Sequence, residues 1–132
     1  MPANTAPIFA LTPNCKTVLG TATANTSRTT FATGFDIITG GTNGTRVEGV
    51  WFTATGTTTA GTIRIWHRIN GGSDILIGEI PVSAITPSGT LQVWTGFWKP
   101  TVSPFVLSAS DKISFTTHNA EQFSASPAAG DY

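Results

Sequence analysis

The chain has 132 residues with seven Lys and Arg against seven Asp and Glu, a formal net charge of zero. Charged residues make up 11%, less than half of the roughly 25% usual in a soluble domain. With no basic excess there is no broad electrostatic footprint for nucleic acid, and no apolar run approaches the ~20 residues of a membrane span.

Thr, Gly, Ser and Pro fill 56 of the 132 positions. Apolar residues never recur at helical spacing. Short runs rich in Val, Ile, Phe, Trp and Thr alternate instead with Gly, Pro, Asn and Ser clusters, which predicts an all-β protein. The length suits one domain. Ten candidate strands lie over 8–11, 16–22, 31–39, 46–55, 62–69, 74–82, 91–98, 105–107, 112–118 and 122–125. That number and spacing predict a jelly roll or a related Greek-key β-sandwich over 14–132. An immunoglobulin-like sandwich is disfavoured, because the Cys…Trp…Cys framework is missing.

The start of the chain differs from the rest. Met1-Pro2-Ala3-Asn4-Thr5 lacks a charged n-region and an apolar h-region, so no secretory leader is expected. Pro2, Pro7 and Pro13 bracket Ile8-Phe9-Ala10-Leu11. Proline cannot donate to a central ladder, so residues 1–13 read as an extended N-terminal arm or as an edge strand. An arm would need a neighbour to bury Ile8, Phe9 and Leu11.

The strand at 46–55 has apolar residues on both faces, with Val47 and Trp51 opposing Val50 and Phe52. It is expected to be central and covered on both sides. The strand at 62–69 alternates strictly. Ile63, Ile65, His67 and Ile69 point one way; Thr62, Arg64, Trp66 and Arg68 point the other. A two-residue turn at Gly71-Gly72 would set Arg64 opposite Glu79, Ile63 opposite Ile80, Trp66 opposite Ile77 and Arg68 opposite Ile75. The isoleucine side is the natural core. The other face then gathers Arg64, Trp66, Arg68, Ile75 and Ile77, and Arg with aromatics marks a protein interface. In 91–98, Leu91, Val93, Thr95 and Phe97 form one face, and Trp94 and Trp98 the other. If the first face is core, both tryptophans turn outward. A loop covering either sheet would instead bury these indoles within the monomer.

Little chemistry is legible. His67 lies on the apolar phase of its strand and reads as a satisfied, half-buried histidine; His118 lies next to the turn at Asn119-Ala120-Glu121. There is no nucleophile elbow, no paired metal-ligand spacing and no phosphate-cradling glycine loop. The carboxylates are scattered singly. No catalytic, metal or cofactor site is expected, and the chain is not expected to be an enzyme. Cys15 is a lone thiol, suited to a reducing cytoplasm. The sequons at Asn25 and Asn43 read as chance in a Thr-rich chain. A sugar-binding role is the rival to a protein interface, with Trp66, Trp94 and Trp98 as the stacking platform.

Several stretches resemble one group of proteins. They are Ala3-Asn4-Thr5-Ala6-Pro7-Ile8-Phe9 with Leu11-Thr12-Pro13, Gly44-Thr45-Arg46-Val47-Glu48, Thr55-Gly56-Thr57-Thr58-Thr59-Ala60-Gly61, Glu79-Ile80-Pro81-Val82, Ile85-Thr86-Pro87-Ser88-Gly89-Thr90, His118-Asn119-Ala120-Glu121 and Gly130-Asp131-Tyr132. In this order they look like small virion-associated proteins of tailed phages and prophages. Trp66-His67 departs from the aliphatic pair usual in that group. The resemblance implies a structural virion protein, most simply a capsid decoration or cement protein at the joints between capsomers. It implies assembly in the host bacterial cytoplasm, the major capsid protein or other virion proteins as partners, and a homo-oligomer, with a trimer expected. The alternative is a receptor- or glycan-binding module of a tail or head fibre.

Overall fold

The structure, a computed structural model, describes residues 10–101 and 105–132. Among these there is no helix, so none is long and apolar enough to cross a membrane. The strands are β1 (Thr12–Pro13), β2 (Val18–Leu19), β3 (Phe35–Thr39), β4 (Thr45–Ala54), β5 (Gly61–Arg68), β6 (Asp74–Val82), β7 (Thr95–Trp98), β8 (Phe105–Leu107), β9 (Lys112–Thr117) and β10 (Phe123–Asp131). They form two antiparallel sheets packed as a β-sandwich. In the β4 sheet, β10 lies between β4 on one side and β1 and β2 on the other, and β4 carries β7 and β8 on its far edge. The β5 sheet runs β3-β9-β5-β6.

The core lies between the sheets. Val47, Val50, Phe52, Phe123, Ala125 and Leu107 come from the β4 sheet, and Ile38, Ile63, Ile65, Ile113 and Phe115 from the β5 sheet. Phe52 and Phe115 meet edge-on across the gap, with ring centroids 5.2 Å apart, a geometry aromatic pairs favour.

Three register shifts decide which side chains face the core; one, at Ile37 of β3, lets both Ile37 and Ile38 be buried. Between β4 and β10 the register shifts so that Val47 and Gly49 pair with neighbouring residues Ala129 and Ala128. Glu48 is thus an extra residue, a β-bulge that reverses the in–out phase of the strand. Val47 points inward before it; Val50, Phe52 and Ala54 point inward after it. The mixed pattern of 46–55 therefore comes from one inserted residue, and among the described residues β4 is covered on its inner face only. The third shift lies in the β5–β6 hairpin. Ile63 pairs with Ile80 and Arg64 with Glu79, as expected, but beyond Ile65 the register shifts and Trp66 pairs with Leu76. The turn holds three residues rather than two. Gly72 N–H donates to Ile69 C=O at 2.9 Å, Ile69 N–H donates to Ser73 C=O at 3.1 Å, and Gly71 takes φ +71°. Gly71 accepts the left-handed backbone that other residues resist. Ile77 is the compensating extra residue.

Several strands differ in length from expectation. Only Val18–Leu19 and Phe35–Thr39 form from 16–22 and 31–39, because the chain between them is a loop. β10 runs to Asp131 in spite of Pro127. Pro127 sits where β10 passes from β2, paired at Ser124 and Ala125, to β1, paired at Gly130 and Asp131. The missing N–H falls in that gap, which makes the proline tolerable. At the start of the described chain, Leu11 N–H donates to Asp131 C=O at 2.7 Å and β1 pairs β10. Residues 11–13 are thus an edge of the chain's own sheet. Ile8 and Phe9 lie outside the described residues.

Candidate functional site

The two outer faces of the sandwich are unlike each other. That of the β5 sheet carries Arg64, Trp66 and Arg68, brought together as expected, but it is covered by the chain's own loop, residues 20–34. Trp66 is fully buried (0% exposed) and Arg64 nearly so (1%). The Trp66 ring meets Phe31 edge-on at 5.9 Å, and its Nε1–H donates to Thr116 Oγ1 at 3.0 Å. Arg64 donates from Nε to Glu79 Oε1 at 3.1 Å and from Nη1 to the Asn25 carbonyl at 3.1 Å; Nη2 lies 3.3 Å from His118 Nδ1. Arg28 in the loop shares Glu79 Oε1 at 2.6 Å. Asn25 ties the loop to itself, donating from Nδ2 to Ala32 C=O, and to β9, donating from N–H to Thr117 C=O. The Arg68 guanidinium lies 4.3 Å from the centre of the Phe31 ring. It also bonds Asp74 and Asp36. Burial pushes the Asp36 carboxyl up, but hydrogen bonds from Ser114, Lys112 and Arg68 outweigh it and the pKa is lowered.

The outward Arg and Trp face expected on this hairpin is therefore corrected: Arg64 and Trp66 are interior groups whose polar atoms are all bonded within the monomer. The bulge removes Ile75 and Ile77 from that face. Ile77 packs against the core and Ile75 is exposed next to the turn. Trp94 and Trp98 are corrected as well. Both are buried in the core cluster, while Phe97, Leu91 and Thr95 are exposed. Glycines make the room. Trp98 lies against Gly78 of the facing sheet and Trp94 against Gly96, each where a Cβ would collide with the indole.

Among the described residues no loop covers the outer face of the β4 sheet. Trp51, at 55% exposure, is the one tryptophan at the surface. Directly opposite it on β7 stands Phe97, at 42% exposure, with ring centroids 4.9 Å apart. The Phe97 ring lies over Gly49, the bulge partner, where a Cβ would strike it. Ser126 of β10 flanks Trp51 on the other side. Exposed Leu19 and Val106 sit at opposite corners of the same face, next to Ser124 and Arg46. Arg46 and Glu48 form an ion pair on the strand itself. They border an open groove of about 690 Å³ whose other walls include Leu11, Pro13, Cys15 and Ala128. Leu11 is the most exposed apolar side chain there, at 83%.

Sequence reasoning missed Trp51 and Phe97. The signal was present: Val50-Phe52-Ala54 is a clean apolar phase that leaves Trp51 and Thr53 outside, but Val47 counts against it unless a bulge is placed at Glu48.

The one acid–base pair of note is half-buried between β5 and the turn before β9. His67 Nε2 lies 3.0 Å from Asp111 Oδ2, and Asn70 N–H donates to Asp111 Oδ1 at 2.9 Å. The Asn70 bond is the main reason that the Asp111 pKa is lowered; burial opposes it and His67 adds to it. The pair pins the hairpin turn to the next loop. Among the described residues no three His, Cys, Asp or Glu side chains converge to hold a metal ion.

Scanned against family models the chain matches none, and no curated protein matches it.

Proposed function

We propose that the chain is a structural virion protein of a tailed phage, a capsid decoration or cement protein that works by covering other polypeptides, and that its sandwich is a jelly roll. The observation that carries the reading is the Trp51/Phe97 pair left open on the β4 sheet, while the other sheet is roofed by the chain's own loop. Exposed aromatic residues in contact with each other are enriched at the centres of protein interfaces. The jelly-roll reading is supported by the strand order. The chain crosses between the sheets at six of its nine connections, staying within one sheet only at β1–β2, β5–β6 and β7–β8, and each sheet is four strands wide, with β1 and β2 sharing one edge of the β4 sheet and β7 and β8 the other. The tailed-phage setting is supported by the resemblance of the stretches from Ala3 to Tyr132.

The test is occupancy on purified particles from a host that carries this gene, for the parent and for Trp51→Ser with Phe97→Ser. The expected result is a fixed ratio of this chain to the major capsid protein, reduced several-fold in the double variant. A chain absent from the particles overturns the reading. The second reading, a glycan- or receptor-binding module, moves to Trp51, the tryptophan open to stack on a sugar ring. It is favoured if the double variant keeps full occupancy but the particles no longer adsorb to host cells.

A further inference from the structure

We infer that the β5–β6 turn is a site of covalent self-modification: Asn70 converts to aspartate and isoaspartate through attack by the Gly71 backbone nitrogen, while the fold keeps Asn43 intact. The chain has two Asn-Gly steps, Asn43-Gly44 and Asn70-Gly71. A glycine has no side chain to hinder the close approach the reaction needs, so the sequence makes the two steps equal. Both glycines also share a left-handed backbone, at φ +93° and +71°. What separates them is how each is held.

The attacking amide must be free to lose its proton and to reach the asparagine side-chain carbon. Among the described residues neither the N–H nor the C=O of Gly71 has a hydrogen-bond partner, and the Asn70 side chain has none. Residues 70–73 are all exposed, and a Cβ at position 71 would meet nothing within 4 Å. The Asn70 N–H is tied to Asp111 Oδ1 at 2.9 Å, which anchors the residue on the side away from the reaction. Gly44 is the opposite case. Its N–H donates to Gly41 C=O at 3.0 Å, and its C=O accepts from Tyr132 N–H at 3.1 Å. Gly44 is buried, with Leu107, Val106 and Tyr132 all within 4 Å of where a Cβ would stand. Ring closure at Asn43 would break a buried backbone bond, which folded chains resist.

The step balances without an oxidant or a reductant. The Gly71 nitrogen bonds to Asn70 Cγ and gives its proton to water, and the side-chain nitrogen leaves as ammonia. Water then opens the five-membered imide. Opening at the side-chain carbonyl gives aspartate; opening at the main-chain carbonyl gives isoaspartate, with one more atom in the backbone. That atom lengthens a turn closed by the Gly72-to-Ile69 and Ile69-to-Ser73 bonds. Either product replaces a neutral amide by a carboxylate. Asn70 lines a small groove of about 270 Å³ with two cations, Arg68 and Lys112, and one carboxylate, Asp74. The conversion adds a second carboxylate and balances the charge there.

The experiment is a time course on the purified full chain in mildly alkaline buffer, native and in urea, read by peptide mass mapping and by isoaspartyl methyltransferase labelling. In the native protein, position 70 should gain the mass of the acid and the isoaspartyl label. Position 43 should convert at least about tenfold more slowly, the factor that one retained backbone hydrogen bond is worth. In urea the two positions should convert at similar rates, because the dipeptides are the same. Equal native rates at 43 and 70 overturn the inference. So does a position 70 that converts in urea but stays an amide in the native chain.

Discussion

Phe31 and Trp66 are 35 positions apart in sequence, yet their rings meet edge-on under the loop that roofs the β5 sheet. Phe31 is the loop's apolar anchor: it touches Trp66, stacks under Arg68 and fills the space left by Gly34. Phe31→Ala should therefore release the loop and leave the sandwich standing. The expected outcome is faster protease cleavage and faster amide exchange within residues 20–34, with protection of β5 and β9 largely kept at Ile65 and Phe115. Stability should fall by about 2–4 kcal/mol, at or below the lower part of the range for a large-to-small change at a buried aromatic, because the ring is only partly enclosed.

Arg64 and Glu79 are a cross-strand pair whose two partners are not equivalent. Arg64 is enclosed, and Glu79 keeps a third of its side chain in water and a second cation, Arg28. Removing the carboxylate strands a buried guanidinium; removing the guanidinium leaves a carboxylate that still has Arg28 and solvent. Glu79→Ala should cost about 3 kcal/mol or more, and Arg64→Met, which fills the same space, about 1–2 kcal/mol. Urea unfolding of the two variants checks the order, and an equal loss would contradict this account.

The same hairpin shows what could be read beforehand. The Ile63–Ile80 and Arg64–Glu79 pairings match the register a two-residue turn would set, although the turn holds three residues, because the extra residue at Ile77 restores that register from Ile65 outward, away from the turn. The places of Trp66 and Ile75 were not legible, because the bulge at Ile77 and the three-residue turn cancel each other and leave no trace in the period. Nor could the pattern tell an outward tryptophan from a roofed one: the roof is residues 20–34, brought over β5 by Asn25 and Thr117, and its polar Thr and Ser content reads as surface loop. In 91–98 the tryptophans were assigned outward because the aliphatic phase looked like core. The deciding facts are two glycines: Gly78 of the facing sheet, which makes room for Trp98, and Gly96 within 91–98 itself, over which Trp94 folds. Arg46 through Ala54 failed for a single reason, the extra residue at Glu48.

Asp111 should set part of the acid limit of stability. Its carboxyl is held below the ordinary value of 3.8, first by the Asn70 N–H and then by His67, against the effect of burial. A depressed folded pKa contributes stability that is present above the ordinary value and is lost as pH falls through the folded one. Asp36 acts in the same sense. Asp111→Asn should cost about 1 kcal/mol near neutral pH and remove part of the decline below pH 3.8, so that parent and variant converge in acid. Unfolding midpoints measured on both sides of that pH check it; a difference that widens in acid would contradict the assignment.

Trp51 and Trp98 stand on paired strands of one sheet, one residue apart in register, and should answer substitution in opposite ways. Trp98 is core, packed against Gly78 of the facing sheet. Trp98→Ala opens a void between the sheets and should cost about 3–5 kcal/mol. Trp51 is more than half exposed, with Phe97 as its aromatic neighbour. Trp51→Ser removes a stacked pair worth about 0.5–1.5 kcal/mol at most and should shift stability by no more than that. Its effect should fall on association, as expected of a side chain kept for contact rather than for folding. Thermal unfolding alongside particle occupancy of the same variants separates the two. A Trp51→Ser protein that unfolds as readily as Trp98→Ala would show that the outer face of the β4 sheet is covered by the chain itself.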